Sequence, residues 1–399
     1  MPLVSLLAVG AFALGLDAYV TAGLLPVVAD DFGSSVSATG QMVTAFTLAY
    51  ALASPVVAAL LSASRQRLGL LASLAVFALA NVGSALAPSL AVLLVTRAVA
   101  GVGAGVYLAL AVSAVATLVS RERQGRALAL IMGGMSSGTV LGVPLGVLIA
   151  QQAGWRATLW LVAALGATAC AGLALRLPRF TAATAPSLRR RVSVLADQRV
   201  MSVVTVSFLA AVGSLGLYTY LAPVMESPAM GGVESITLYL WAWGVGGVVG
   251  SLLIGRVLDR TRRPYALVLG IMALLACALL AFRFAGGLTP LLALVPLAVW
   301  GAVGWALQVP QQHDLIAARG EHGGPVAVAL NESALYLGSA VGSGLGGLAF
   351  SLGWDASVLP LWAAGFALLG LLVQLTWVRT AGRRGTAPRS TPVPGADRA

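Results

Sequence analysis

The chain is 399 residues long, with 59% hydrophobic and only 9% charged residues, against roughly 45–50% apolar and about 25% charged in soluble domains. That composition excludes a soluble enzyme and makes lipid the chain's main solvent. A net charge of +11 from 24 basic residues, all of them arginine, would ordinarily suggest nucleic acid. These arginines sit in short clusters between apolar runs, where bilayer insertion accounts for them, so nucleic acid is excluded as a partner.

Crossing hydrocarbon takes about 20 apolar residues. Runs bounded by charges, Pro and Gly predict twelve helices, over 3–29, 37–62, 68–87, 90–119, 126–150, 157–177, 200–224, 236–258, 265–284, 288–312, 325–350 and 357–378. Residues 1–29 lack a basic leading segment and a cleavage site and carry Asp17 mid-run, so they read as the first helix and not as a signal peptide. With both termini in the cytoplasm, 21 arginines fall in cytoplasmic segments, against Arg156 and Arg283 outside and Arg97 within helix 4. That asymmetry fixes the expected orientation in a cell membrane.

The longest polar break, 178–199, is a basic cytoplasmic linker between a six-helix block over 1–177 and another over 200–378. The tail 379–399 is rich in Arg, Pro, Gly and Ser/Thr and reads as disordered. The blocks echo each other: Gly138, Gly142 and Gly146 recur 200 residues later as Gly338, Gly342 and Gly346, and Gly101 recurs as Gly301. G-L-D-A-Y (15–19) likewise matches G-L-Y-T-Y (216–220). The expected fold is an all-α membrane protein of twelve transmembrane helices in two pseudo-symmetric six-helix bundles, produced by duplication.

An acid at the bilayer midplane costs roughly 2.5–3.5 kcal/mol on insertion scales, so intramembrane charges face an interior or a cavity. Asp17 is the prime case, a candidate proton-binding group whose ionisation responds to desolvation and to approaching cations. Arg97 is the one basic residue deep in a span and needs an acidic or polar partner, for which Asp17 and Glu332 are the buried acids. Tyr218 and Leu297 stand at the duplicated positions of Asp17 and Arg97, which confines this machinery to the first half. Glu332, about two turns into helix 11, serves either an interfacial hydrogen bond or a cationic substrate. Tyr19, Tyr50, Tyr107, Tyr218, Tyr220, Trp300, Trp305 and Tyr336 supply aromatics with polar handles, and all but Tyr220 and Trp305 are carried as substrate-cavity candidates.

Gly138, Gly142 and Gly146 share one helix face and allow tight packing, while Pro144 removes a backbone donor and permits a bend. Cys170 and Cys277 lack metal-ligand spacing and read as small buried hydrophobes. His313, Asp314, Glu321 and His322 fall at or beside the loop between helices 10 and 11, and metal binding is not expected there.

Several stretches carry a family resemblance. G-R-V-L-D-R-T-R-R (255–263) resembles the signature loop of the major facilitator superfamily in its second-half copy, which implies a conformational latch built on Gly255, Arg256, Asp259, Arg260 and Arg263. The first-half copy, A-A-L-L-S-A-S-R-Q-R (58–67), keeps Arg65 and Arg67 but has no acid. L-L-V-T-R-A-V-A-G-V-G-A-G (93–105) is similar to the superfamily stretch whose arginine is linked to proton coupling, with Ala100 departing from the usual Gln. G-T-V-L-G-V-P-L-G (138–146) resembles the proton-antiporter signature. L-D-A-Y-V-T-A-G-L-L-P (16–26) is similar to drug and tetracycline antiporters, in which an acid precedes a proline by nine residues, as Asp17 precedes Pro26. A-L-N-E-S-A-L-Y-L-G-S-A-V-G (329–342) resembles the arabinose-efflux and chloramphenicol-resistance branch, where Glu332 is not expected.

The resemblance implies a secondary transporter, with Asp17 and Arg97 in proton coupling, that exports a hydrophobic or amphiphilic compound such as an antibiotic by proton antiport. Export of a sugar or other metabolite is the alternative. No paired acids, Ser/Lys or Ser/His dyad at membrane depth supports an enzyme, and a non-transport role would leave Asp17, Arg97 and the 138–146 stretch without purpose. The expected partners are protons, a small-molecule substrate and the bilayer, with the proton gradient in place of a cofactor, and the expected state is a monomer.

Overall fold

The computed structural model describes residues 2–60, 65–120, 123–178, 193–233, 235–261 and 264–383. These residues form twelve helices long and apolar enough to cross a membrane: α1 (Leu3–Asp31), α2 (Val36–Val56), α3 (Gln66–Ala85), α4 (Leu90–Val115), α5 (Gln124–Ala153), α6 (Trp155–Arg176), α7 (Gln198–Thr219), α8 (Thr237–Arg260), α9 (Tyr265–Leu288), α10 (Pro290–Gly320), α11 (Val326–Ser351) and α12 (Ala356–Thr380). An even number of spans puts both ends of the chain on one face, here termed the basic face because most arginines fall on it.

The packing repeats between halves. In the first, α1 lies against α5 and α6, α2 against α4, and α3 against α4 and α6; in the second, α7 lies against α11 and α12, α8 against α10, and α9 against α10 and α12. The glycines that recur in sequence explain the match. A Cβ on Gly138 would overlap the Phe12 carbonyl across the α1–α5 seam, and one on Gly342 would overlap the Val212 carbonyl across α7–α11. Gly101 meets the Phe46 carbonyl of α2 as Gly301 meets the Trp243 carbonyl of α8. Membrane helices gain little from hydrophobic contact with each other, so these backbone-to-backbone approaches supply the dispersion contacts that hold each bundle.

The predicted spans agree with the observed ones to within a few residues at most ends, with two informative differences. Helix 10 was expected to stop at 312 and instead runs to Gly320, whose φ of +66° turns the chain toward α11. His313 and Asp314 therefore lie on a helix and not in a loop. Hydropathy ended the span at its first polar cluster, whereas Asp314 is neutralised by an ion pair with Arg199 at the start of α7. A second pair, Arg319 to Asp197 at 3.4 Å, ties the same two ends together over a small apolar cluster of Val194, Val200, Val203, Leu315 and Ala327.

The other difference lies in α5. Pro144 was expected to permit a bend, and the irregularity is a π-helical turn over Gly138–Gly142 just ahead of it. An α-helical turn would pair the Val140 carbonyl with the N–H of residue 144, which proline lacks, so a wider turn shifts the acceptor to a later donor.

The halves meet along α2 against α11 and α5 against α8. Hydrogen bonds that cross this boundary include Ser37 Oγ to the Gly347 carbonyl at 2.6 Å, Thr44 to Ser343 at 2.8 Å and Gln151 to Ser235 at 3.5 Å. All lie toward the face opposite the basic one. Tyr220 reinforces this seal, donating to the Ser343 carbonyl at 2.8 Å with its ring between Gly40 and Gly346. On the same face Arg156 clamps the first bundle, pairing with Asp31 at 2.6 Å and lying over the Trp155 ring at 4.4 Å.

Candidate functional site

Two polar features occupy the membrane interior of the first half and the boundary between halves. Asp17 and Arg97 form an ion pair of 2.7 Å between α1 and α4, and both side chains are 0% exposed. Asn81 of α3 completes the group: its Nδ2 donates to Asp17 Oδ2 at 3.2 Å and to the Phe77 carbonyl at 3.1 Å, while its Oδ1 accepts from Arg97 at 3.2 Å. Arg97 also reaches the Asp17 carbonyl at 3.4 Å, and its guanidinium lies 4.6 Å from the centre of the Phe46 ring of α2. Four helices thus converge on one neutralised pair.

Stranding either charge alone in this apolar setting would cost several kcal/mol. The sequence required a partner for Arg97 and offered Asp17 or Glu332; the structure places Asp17 there. Sequence reasoning passed over Asn81, whose signal was a lone amide in an otherwise apolar span.

Residues one and two places beyond Asp17 turn to the other side of α1. Ala18, Tyr19, Thr21 and Ala22 line a narrow cavity at the boundary of the halves, closed by Val43 and Thr47 of α2, Leu215, Tyr218 and Thr219 of α7, and Tyr336 and Ser339 of α11. The helix that carries Asp17 thus also supplies one wall of this cavity. Tyr19 meets Tyr218 edge-on at 5.7 Å, and both lie near Trp243 of α8, at 6.0 and 4.4 Å. Trp305 of α10 stands edge-on to Trp243 at 6.0 Å, and Tyr50 of α2 stacks on Tyr336 at 3.7 Å. The Trp243 Nε1 is buried with no hydrogen-bond partner.

Glu332 is one turn before Tyr336 on α11, half-buried, with the Gln312 amide of α10 against its carboxylate. Tyr19 and Tyr218 are thus brought together, as are Tyr50 and Tyr336, with Glu332 one turn from Tyr336. Two other aromatic candidates lie elsewhere. Tyr107 is buried inside the first bundle and donates to the Leu7 carbonyl at 2.9 Å. Trp300 is fully buried behind Trp243, with its indole donating to Ser214 at 2.6 Å. Trp243, which the sequence reading did not single out, takes the central place instead. Nothing in its own sequence context distinguishes it from a lipid-facing tryptophan.

In the signature loop, a Cβ on Gly255 would meet nothing within 4 Å. Arg256, Asp259 and Arg260 are exposed, Asp259 forms no ion pair among the described residues, and Arg263 lies outside them. The close approach implied at Gly255 is therefore absent in this arrangement, in which the halves are joined on the opposite face. Gly142 and Gly146 pack on Leu16 and Val20 of α1, and Pro144 is buried in the same helix. Among the described residues, no three His, Cys, Asp or Glu side chains converge on a point.

Twelve spans in two matched bundles, with a polar cavity at their boundary and a charge pair beside it, define a membrane transport protein rather than a receptor or structural protein. Sequence comparison agrees: residues 7–343 match the Major Facilitator Superfamily, to which this chain belongs. It is 31% identical over 367 residues to the inner membrane transport protein YdhP of Escherichia coli O157:H7, covering 92% of this chain and 93% of that protein. It is 34% identical over 382 residues to a chloramphenicol resistance protein of Streptomyces lividans, covering 94% and 95% of the two chains. It is also similar to the putative transporter AraJ of Escherichia coli K12, at 26% over 369 residues, covering 92% and 93%.

Proposed function

We propose that this transporter is a proton-coupled antiporter that exports a hydrophobic or amphiphilic small molecule, with its basic face in the cytoplasm. The observation that carries the reading is the buried Asp17–Arg97 pair on a helix that also lines a cavity bearing Tyr19, Tyr218 and Tyr336. The cavity offers rings and hydroxyls and no arginine, which suits partly apolar solutes and not phosphates or dicarboxylates. Similarity to a chloramphenicol resistance protein supports a drug-like substrate.

Asp17 is the proton-linked group. Protonating it removes the charge that balances Arg97, so proton uptake is favourable only in an arrangement where water or another acceptor relieves the arginine. A group whose charge is tolerated in one arrangement and not in the other converts a gradient into movement: one pH unit is worth about 1.4 kcal/mol per proton. In proteoliposomes, wild-type protein should accumulate substrate against its gradient when a pH difference is imposed. Asp17→Asn keeps a hydrogen-bonding side chain that cannot titrate, and it should still exchange substrate downhill while losing uphill accumulation. Asp17→Glu should retain part of it. Full gradient-driven accumulation by Asp17→Asn would refute the assignment.

A further inference from the structure

We propose that the cleft between α11 and α12 binds one phospholipid with a primary-amine headgroup, its ammonium at Asp355 and an acyl chain lying over α7. The duplication exposes the site, because the same corner is closed in one half and open in the other. G-W-R-A-T (154–158), at the turn from α5 into α6, recurs as G-W-D-A-S (353–357) at the turn from α11 into α12, and both turn glycines are left-handed, with φ of +83° and +77°. In the first half the chain fills its own corner. Trp155 is 3% exposed and packs on Phe32, Arg156 pairs with Asp31, and the Thr158 hydroxyl donates to the Gly146 carbonyl at 2.6 Å, joining α6 to α5. In the second half Trp354 is 44% exposed, and Asp355 stands in the place of Arg156. Among the described residues Asp355 forms no ion pair, and no hydrogen bond joins Ser357, in the place of Thr158, to α11.

The helices part accordingly. Among the described residues α11 and α12 scarcely touch, although each packs on α7. Trp354, Asp355 and Val358 line the mouth of the resulting cleft, which continues inward over Gly213 and Gly216 of α7 to Phe366; Leu359 and Trp362 line both parts, so the cleft is continuous. From Asp355 to Phe366 it follows about three turns of α12, a length and apolar lining that suit an acyl chain. Tryptophan favours the boundary between headgroups and hydrocarbon, which sets Asp355 at headgroup level. The Ser357 hydroxyl and N–H, and less strongly Arg283, hold the Asp355 carboxyl below its usual range, so it is ionised at neutral pH. Such a carboxylate repels an anionic headgroup and attracts an ammonium, and a primary ammonium adds N–H donors that a quaternary one lacks. Phe350, also at the mouth, lies 5.1 Å from the Tyr220 ring of the seal between halves, so an occupant bears on the closed face.

The test offers full-length protein in mild detergent an equimolar mixture of dioleoyl phosphatidylethanolamine, phosphatidylcholine and phosphatidylglycerol, and reads the lipids retained on the protein by native mass spectrometry. Asp355→Asn keeps a good helix cap and should lower phosphatidylethanolamine retention about threefold or more, the weight of one exposed charge contact, while leaving the other two lipids as they were. Asp355→Glu should keep the wild-type pattern. Val358→Trp, which fills the mouth, should lose the same lipid. Phosphatidylethanolamine retained equally by Asp355→Asn or by Val358→Trp, or lost together with phosphatidylglycerol, overturns the proposal, as does a dimer that Val358→Trp dissolves, which would make a second copy the occupant.

Discussion

In the Asp17–Arg97–Asn81 group, each buried charge depends on the other. Removing Arg97 leaves a carboxylate in hydrocarbon with one amide for company, and removing one member of a buried pair typically costs about 3–5 kcal/mol. Arg97→Gln should therefore lower the thermal midpoint of the detergent-solubilised protein sharply, while Asp17→Asn combined with Arg97→Gln, which strands no charge, should recover part of the loss. A double variant as unstable as the sum of its parts would mean that the two residues act separately. This site was half legible in the sequence. Two charges in apolar spans announced themselves by their cost, but the third member, Asn81, and the choice between Asp17 and Glu332 depended on which faces of α1, α3 and α11 turn inward. A single nearly uniform apolar sequence does not encode that.

At the scale of the helix, packing explains the repeated glycines. Gly138 touches the backbone of α1 so closely that a methyl group would overlap the Phe12 carbonyl, whereas Gly133, five residues earlier on the same helix, has nothing within 4 Å. Gly138→Ala should cost about 1–3 kcal/mol through overpacking. Gly133→Ala should instead be neutral or stabilising by up to about 1 kcal/mol, because alanine is the better helix former. Thermal unfolding of the two variants side by side tests the α1–α5 seam, and equal effects would contradict it. Element existence was read well from hydropathy because twelve apolar runs stand between charges, prolines and glycines. The extension of α10 was not, since its polar end is held by pairs from Asp314 to Arg199 and from Arg319 to Asp197, partners at the start of α7 that lie more than a hundred residues away in sequence. Trp243 was missed for a related reason: its importance comes from the convergence of α1, α7 and α8 around it.

For the whole molecule, the hydrogen bonds between halves seal one face, and Thr44 and Ser343 lie with hydroxyls 2.8 Å apart in that seal. If transport alternates access between faces, this contact must open in every cycle. In a background with Cys170 and Cys277 replaced by serine, Thr44→Cys with Ser343→Cys should cross-link on oxidation and stop transport, and a reductant should restore it. Undiminished transport by the cross-linked protein would show that α2 and α11 need not part. The duplication was visible in the glycine spacing, and it predicted two bundles; which face is closed is a property of conformation and left no mark in the sequence. The account depends most on movement of protons against substrate. In inside-out vesicles holding an acidic lumen, adding an exported solute should release protons, read as recovery of a quenched pH-sensitive dye, and Asp17→Asn vesicles should show no such recovery. Substrate crossing wild-type vesicles with no accompanying proton flux would contradict the account.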